Sequence, residues 1–472
     1  MATTRSKSSI NTNHTNESNN KKARYNNTKH GNNFKREINL KNTGSAAIDK
    51  LSHVTLNDEQ VSLKKKILEF ISTNLDNYKD NDGTCAMFVI QGDAGTGKSV
   101  VLNALFNDIQ KIAETKNLKE VEKDFPPHVI KSLEHTKNYL VVNHPEMLKL
   151  YHRISKSFRY INKSSLERPT SLINMLTKSK SKCDVVIIDE AHLLSTSKDA
   201  FKRFYGENHL QDLMSLSKVL IIVFDEKQSL RMGSFWGQTS ERNGASLSTF
   251  YDALPANKKS WYYLKQQFRV VAEPDMLQWI EKISTTGEIL PFPQSVKTKE
   301  KSNFDFKIWS DCGAMYEDLK EKNKQFGQCR MLATYDFPYR LDGKDYFVTC
   351  GDNFKLRWDR YTPKAITPWS ERDDTIDEVG SVYTIQGFDL NYAGLILGRS
   401  VGYDKETDSI KLKPEYYDDH AGFTKKKNIK DVDLVKHKII MNSINVLMTR
   451  GVKGMYLYAW DPELRERLLG LT

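Results

Sequence analysis

The sequence predicts an α/β protein with two parallel-sheet layers in tandem, preceded by a disordered basic tail. Three observations carry this expectation. Short apolar runs of strand length alternate with amphipathic runs of helix length, the pattern that builds parallel sheets covered on both faces. The residues able to do chemistry fall at the C-terminal ends of the apolar runs, where open α/β sheets bind ligands. One such run, Ala86 to Ile90, leads directly into a glycine-rich turn and then a helix.

The chain of 472 residues has room for about two or three domains. Its 39% hydrophobic and 28% charged residues are those of a water-soluble globular protein. No apolar run approaches the ~18 residues of a membrane span, and the N-terminal stretch lacks the apolar core of a secretory signal. A membrane partner is therefore not expected. Cys85, Cys183, Cys312, Cys329 and Cys350 are scattered, with no C-x-x-C pair. Such usage suits a reducing compartment, here the cytoplasm with the nucleus open as well, and argues against a zinc site.

The net charge of +11 is unevenly placed, since residues 1–50 carry ten Lys and Arg against three acids. This segment is rich in Asn, Lys, Ser and Thr and poor in large apolar residues. It cannot bury enough surface to offset chain entropy, so disorder is expected. It reads either as a solvated tail or as an arm that screens nucleic-acid phosphates.

Order begins near Leu51. Leu56-Asn57-Asp58-Glu59-Gln60 precedes a helical pattern through Leu63, Ile67, Phe70 and Ile71. After the strand Ala86–Ile90, Gly92-Asp93-Ala94-Gly95-Thr96-Gly97-Lys98-Ser99 fits G-x-x-x-x-G-K-[ST], and Val100, Val101, Leu105 and Ile109 follow at helical spacing. Backbone N–H groups must wrap closely around phosphates, which keeps side chains small at Gly92, Gly95 and Gly97. The helix start adds partial positive charge. Gly92 through Val100 are thus candidate nucleotide contacts. Lys98 reaches the β- and γ-phosphates and Ser99 offers a hydroxyl to Mg²⁺. The implied cofactors are ATP and Mg²⁺. A chance glycine turn would not come framed by this strand and this helix.

Leu118 to Lys137 is charged, contains Pro126-Pro127 and reads as an insertion. Further strands are expected at Tyr139–Val142, Val185–Ile188, Val219–Phe224 and Trp261–Leu264. The third apolar run ends in Asp189-Glu190, a Walker B pattern in which Asp189 holds Mg²⁺ through water and Glu190 activates the attacking water. The next ends in Asp225-Glu226-Lys227-Gln228, and the Gln228 amide is a candidate γ-phosphate sensor. A second layer starts near Arg269, with a helix around Met276–Ile280. Its strands are expected at Phe304–Trp309, Arg330–Thr334, Gly380–Val382, Leu395–Leu397 and Met455–Trp460, and a long helix at about Asp431–Met448. Arg269 and Arg450, each beside the end of an expected element, suit neutralisation of transition-state phosphate charge.

This ordered set resembles superfamily 1 helicases and, more narrowly, the Schlafen group 3-like DNA/RNA helicase domain family. The resemblance spans about Thr55 to Leu468. It rests most on Val379-Gly380-Ser381-Val382-Tyr383-Thr384-Ile385-Gln386-Gly387-Phe388-Asp389-Leu390-Asn391-Tyr392-Ala393-Gly394 and on Asn445-Val446-Leu447-Met448-Thr449-Arg450-Gly451-Val452-Lys453-Gly454. It implies two tandem RecA-like P-loop NTPase domains behind the tail of residues 1–50. Residues 51–268 would hold the P-loop and Walker B element, and 269–472 the arginine fingers and the coupling motif. By the same resemblance Gln60 reads adenine, Gly387 turns its N–H toward the γ-phosphate, and Asp389 meets the ribose. Gln386 would couple the ATP cleft to the strand-binding face, with Arg269 and Arg450 as the two arginine fingers.

The chain departs from the pattern in places. Phe224 stands where these helicases usually carry glycine, and Asn143-His144-Pro145 matches the strand-contacting motif loosely. Asp189-Glu190-Ala191-His192 spells the box of superfamily 2, whose closing two-arginine motif is missing here.

Candidate nucleic-acid contacts are Asn143, Tyr383, Thr384 and Trp236. The last lies in a polar loop, Ser229 to Ser248, with Arg231, Phe235 and Arg242, where aromatics among cations could stack on bases. The function expected is an ATP-dependent helicase or translocase acting on single-stranded DNA or RNA. No nuclease pattern appears, so any cutting would belong to a protein partner. The alternative is an ATP-gated sensor or recruitment module that binds nucleic acid or a protein without unwinding.

Overall fold

The computed structural model describes residues 55–471, apart from 79–82, 93–94, 157, 201–202, 238–243, 265–271, 298–303, 360–361, 363–364 and 366. The expected tail, Asp93, Ala94, Arg242 and Arg269 lie outside the described residues.

The first sheet contains β1 (Ala86–Gly92), β2 (Asn138–Val142), β3 (Leu166–Glu167), β4 (Cys183–Asp189), β5 (Ser217–Phe224) and β6 (Lys259–Leu264). Their order is β3-β2-β4-β5-β1-β6, and every pairing is parallel. Strand alternation explains the burial. Ala86, Phe88 and Ile90 enter one core cluster, while Met87 and Val89 point to the opposite face and enter another. The parallel pairing puts the C-terminal ends of β1, β4 and β5 along one edge, and the P-loop and both acidic strand ends therefore converge there.

Phe88 shows how firmly this frame is held. It is fully buried and meets Phe70 edge-on, with ring centroids 5.4 Å apart. Phe88→Ala is expected to lower unfolding stability by roughly 3–5 kcal/mol, the range for a large aromatic lost from a packed core. Chemical denaturation would check this, and an unchanged midpoint would contradict the packing.

Leu118–Lys137 is more than an insertion. It holds a 3₁₀ turn, Leu118–Glu120, and a helix, Pro127–Leu133. Pro127 takes the first helical position, where its missing N–H costs nothing. Val129, Ile130 and Leu133 are buried, and Ser132 meets Ser72 of the helix Asp58–Asp76 at 2.8 Å. The proline pair opens a core helix.

The second sheet contains β7 (Asp305–Ile308), β8 (Cys329–Ala333), β9 (Phe347–Cys350), β10 (Phe354–Trp358), β11 (Glu378–Gly380) and β12 (Leu390–Leu397). A separate antiparallel hairpin, β13 (Val401–Asp404) and β14 (Ser409–Leu412), precedes its last strand, β15 (Gly451–Ala459). The order is β7-β15-β12-β8-β11-β10-β9, parallel except for the edge pair β9–β10. The two hairpins were not expected, because their strands are short and partly exposed and lack a continuous apolar run. The strand expected at Gly380–Val382 ends at Gly380. Ser381 then caps a short helix, Val382–Ile385, by accepting a hydrogen bond from the Tyr383 N–H at 3.2 Å. The long helix is present as Val432–Met448, with Asp431 as its N-cap.

Among the described residues no helix is long and apolar enough to cross a membrane. All five cysteines are free and buried.

Candidate nucleotide cleft and its couplings

The P-loop bridges β1 and the helix Lys98–Glu114. Gly97 has φ 79°, and a Cβ there would lie 2.5 Å from Gln60 Nε2, so backbone conformation and space both demand glycine. Gln60 is thereby seated against the loop. Its Oε1 accepts from the Asn57 N–H at 3.1 Å, and Asn57 Oδ1 accepts from the Gln60 N–H at 2.8 Å. This reciprocal cap starts the helix Asp58–Asp76 and fixes the amide. Lys98 is buried and its ammonium donates to the Gly92 carbonyl at 2.6 Å. Thr96 and Val100 are buried beside it.

Ser99 Oγ donates to Asp189 Oδ1 at 3.2 Å, and the Glu190 N–H donates to the same oxygen at 3.0 Å. The other oxygen, Oδ2, accepts from the Tyr151 hydroxyl at 2.8 Å. Asp189 is fully buried, and burial together with the neighbouring Glu190 raises its carboxyl to about 6. A hydroxyl and a carboxylate side by side form the oxygen donor pair that Mg²⁺ prefers, with water and phosphates completing its shell. The residues present therefore fit a Mg²⁺–nucleotide.

Glu190 sits in the left-handed region at φ 53°, a costly conformation for a residue with a side chain. The turn brings its Oε2 within 3.1 Å of His192 Nε2. His192 is fully buried, and burial pushes its ring down to about 4. At the end of β5, Gln228 is buried and its Nε2 donates to Asp225 Oδ2 at 2.8 Å, so the candidate sensor is held by the carboxylate before it.

The second sheet reaches into this edge. Gln386 is buried, with Nε2 3.3 Å from His192 Nε2 and 3.5 Å from the Gln228 carbonyl oxygen. Gly387 has φ 85°, and a Cβ there would sit 2.9 Å from Met147 Sδ. Phe388 meets His144 edge-on, and Asp389 follows, half-buried. Arg450 is almost fully buried. It donates to the carbonyls of Val446 at 2.7 Å and Phe388 at 3.2 Å, which places it behind the Gly387–Asp389 turn. Asn442 donates to the Ser229 carbonyl at 2.9 Å, and Lys227 pairs with Glu281 at 3.1 Å. The described residues form part of one compact unit.

A model of the Schlafen group 3, DNA/RNA helicase domain matches residues 85–461, a span that holds the P-loop, Asp189, Glu190, Gln386 and Arg450. The chain belongs to this family. An uncharacterized protein of Saccharomyces cerevisiae is 66% identical over 431 residues, covering 90% of this chain and 92% of the relative. Among solved structures, the PRRSV helicase aligns over 84% of this chain at 10% identity and a TM-score of 0.32. The Arterivirus nonstructural protein 10 helicase, solved with DNA, aligns over 85% at 12% identity and a TM-score of 0.33. The chain spans 55% and 64% of those two viral proteins.

In this Schlafen group 3 helicase domain the strand-face candidates fare differently from the cleft. Trp236 is 3% exposed and packs edge-on against Phe224 and Phe250. It is a core residue and offers no face to a base, which corrects the expectation. The Phe224 that replaces the usual glycine is one wall of this cluster. Phe235 is buried with Met232, Ile429, Val435 and Ile439, because the segment before the long helix covers the loop. Tyr383 is half-buried beneath Arg231, whose guanidinium lies 4.1 Å from the ring centroid. Its hydroxyl is taken by Asp419 and by the Leu230 carbonyl. Thr384 Oγ1 donates to the Ser381 carbonyl at 2.8 Å, and Asn143 Nδ2 to the Leu193 carbonyl at 2.5 Å.

Tyr151, His192 and Asp419 were not singled out from the sequence. His192 stands next to the acidic pair, and that adjacency was the one available signal. Tyr151 and Asp419 reach their partners only through folding.

Proposed function

We propose that this helicase domain is a nucleic-acid-dependent ATPase of helicase or translocase type, with the catalytic cleft between units 51–268 and 269–472. The observation that carries the reading is the contact of Gln386, from the second sheet, with His192, two residues after Glu190 on the first. A cleft built that way lets a strand-facing loop and a hydrolytic site sense each other.

In this reading the backbone from Gly92 to Gly97 cradles the phosphates, and Lys98 neutralises them. Ser99 and Asp189 hold Mg²⁺, which supplies positive charge to the phosphate oxygens when bound. Glu190 orients the attacking water and accepts its proton. Gln228 and the Gly387 N–H report on the γ-phosphate. Arg269 and Arg450 offset the charge that develops on the transferring group. Gln60 and Asp389 contact base and ribose. Approach and separation of the two units through the cycle would move a single strand.

The test is ATP turnover with and without single-stranded DNA, single-stranded RNA and duplex. Strand-dependent acceleration is expected, and turnover absent under every condition would remove the reading. The burial of Trp236 and the internal engagement of the Tyr383 hydroxyl favour a second one. On it the protein is an ATP-gated module that grips nucleic acid or a protein partner, such as a nuclease, without unwinding.

A further inference from the structure

His192 occupies a position that neither the nucleotide nor the strand touches, yet it faces one residue from each side of the cleft. Its Nε2 is 3.1 Å from Glu190 Oε2 and 3.3 Å from Gln386 Nε2. The Gln386 amide nitrogen can only donate a hydrogen bond, and an ionised Glu190 can only accept one. The ring is fully buried, and its depressed basicity keeps it neutral near pH 7. A neutral imidazole nitrogen carries either an N–H or a lone pair, in a single in-plane direction. Nε2 therefore serves one of these neighbours at a time. Nδ1 has no hydrogen-bond partner among the described residues, so nothing there locks the tautomer.

We propose that His192 is a positioning residue that makes Glu190 answer to Gln386. With the proton on Nε2, the ring donates to Glu190 and occupies a lone pair that the attacking water needs. With the proton on Nδ1, Nε2 accepts from Gln386 and Glu190 is released to take the water's proton. The change of tautomer balances through solvent. As the units part, one nitrogen gives its proton to water and the other takes one from water, with no change of charge. Engagement of Gln386 thus switches the base on, and its withdrawal caps it, which restrains hydrolysis when no strand holds the coupling loop in place.

This rests on the proposed ATPase reading, and two measurements keep the two apart. The first needs no turnover. In protein labelled with nitrogen-15 histidine, the His192 resonance is identified by its loss in His192→Gln, and its ring shifts report the tautomer. Gln386→Leu, which removes the donor at similar size, is expected to shift His192 toward Nε2–H. An unchanged tautomer overturns the proposal. The second is ATP turnover with and without single-stranded DNA. His192→Gln can donate to Glu190 and accept from Gln386 through separate atoms, so both contacts persist and the exclusivity goes. Loss of strand stimulation with the KM for ATP retained is expected. Stimulation equal to wild type overturns the proposal, since a merely structural role would survive this change. If the tautomer shifts while wild-type turnover ignores every strand, the ATPase-translocase reading fails and the His192 link between the two sides stands.

Discussion

Glu190→Gln is expected to hydrolyse ATP at least ~100-fold more slowly than wild type, the lower bound for losing a positioned general base. The substitution keeps side-chain size, and the backbone N–H of residue 190 still donates to Asp189 Oδ1, as it does at 3.0 Å in the wild type. Ser99 and Tyr151 still hold the Asp189 carboxylate. The Mg²⁺ donors are thus preserved while the proton acceptor is removed. ATP affinity is expected to persist, and strand affinity is expected still to respond to ATP. Turnover together with fluorescence anisotropy of a labelled single strand checks both. Wild-type turnover in this variant would show that Glu190 is not the base.

Lys98→Ala is expected to remove both nucleotide affinity and turnover. The Lys98 ammonium is parked on the Gly92 carbonyl at 2.6 Å, at the mouth of the loop. Moving it from that carbonyl to the phosphates requires only a rotation of its flexible chain. A charge-assisted hydrogen bond contributes about 1.5–3 kcal/mol, which corresponds to roughly 10–100-fold in affinity. The loss of transition-state charge neutralisation then adds to the loss in rate. The helix should survive, because Val100, Val101, Leu105 and Ile109 hold it in the core independently of the lysine. Equilibrium binding of a fluorescent ATP analogue and a melting curve separate these effects. Equal affinity in the variant and the wild type would remove the P-loop assignment.

Most of the cleft was legible before folding because its motifs are local. A strand, a turn of small residues and a helix must be consecutive for backbone amides to surround a phosphate, and an acidic pair must directly follow a buried strand to face that turn. Lys98, Ser99, Asp189 and Glu190 therefore declare themselves by spacing, and parallel alternation of apolar runs brings their strand ends to one edge. The expected helix Asp431–Met448 and most strands of the second layer were legible for the same reason, since each is a continuous apolar pattern.

What the sequence by itself determined is thus the α/β class, the two layers, the phosphate loop and the acidic strand end, all properties of neighbouring residues. The tertiary structure alone decided the rest. It sent Trp236 into the core, because residues Ile429, Val435 and Ile439 from far along the chain cover the adjoining loop, and a polar loop carries no mark of what will cover it. It put the Tyr151 hydroxyl on Asp189 and the Gln386 amide beside His192, contacts separated by 38 and 194 residues. A hydrogen bond over such separations depends on how sheets stack and loops close. Side-chain periodicity reports only which face is apolar, so the partner of a buried polar group emerges only when the packed core brings the two ends together.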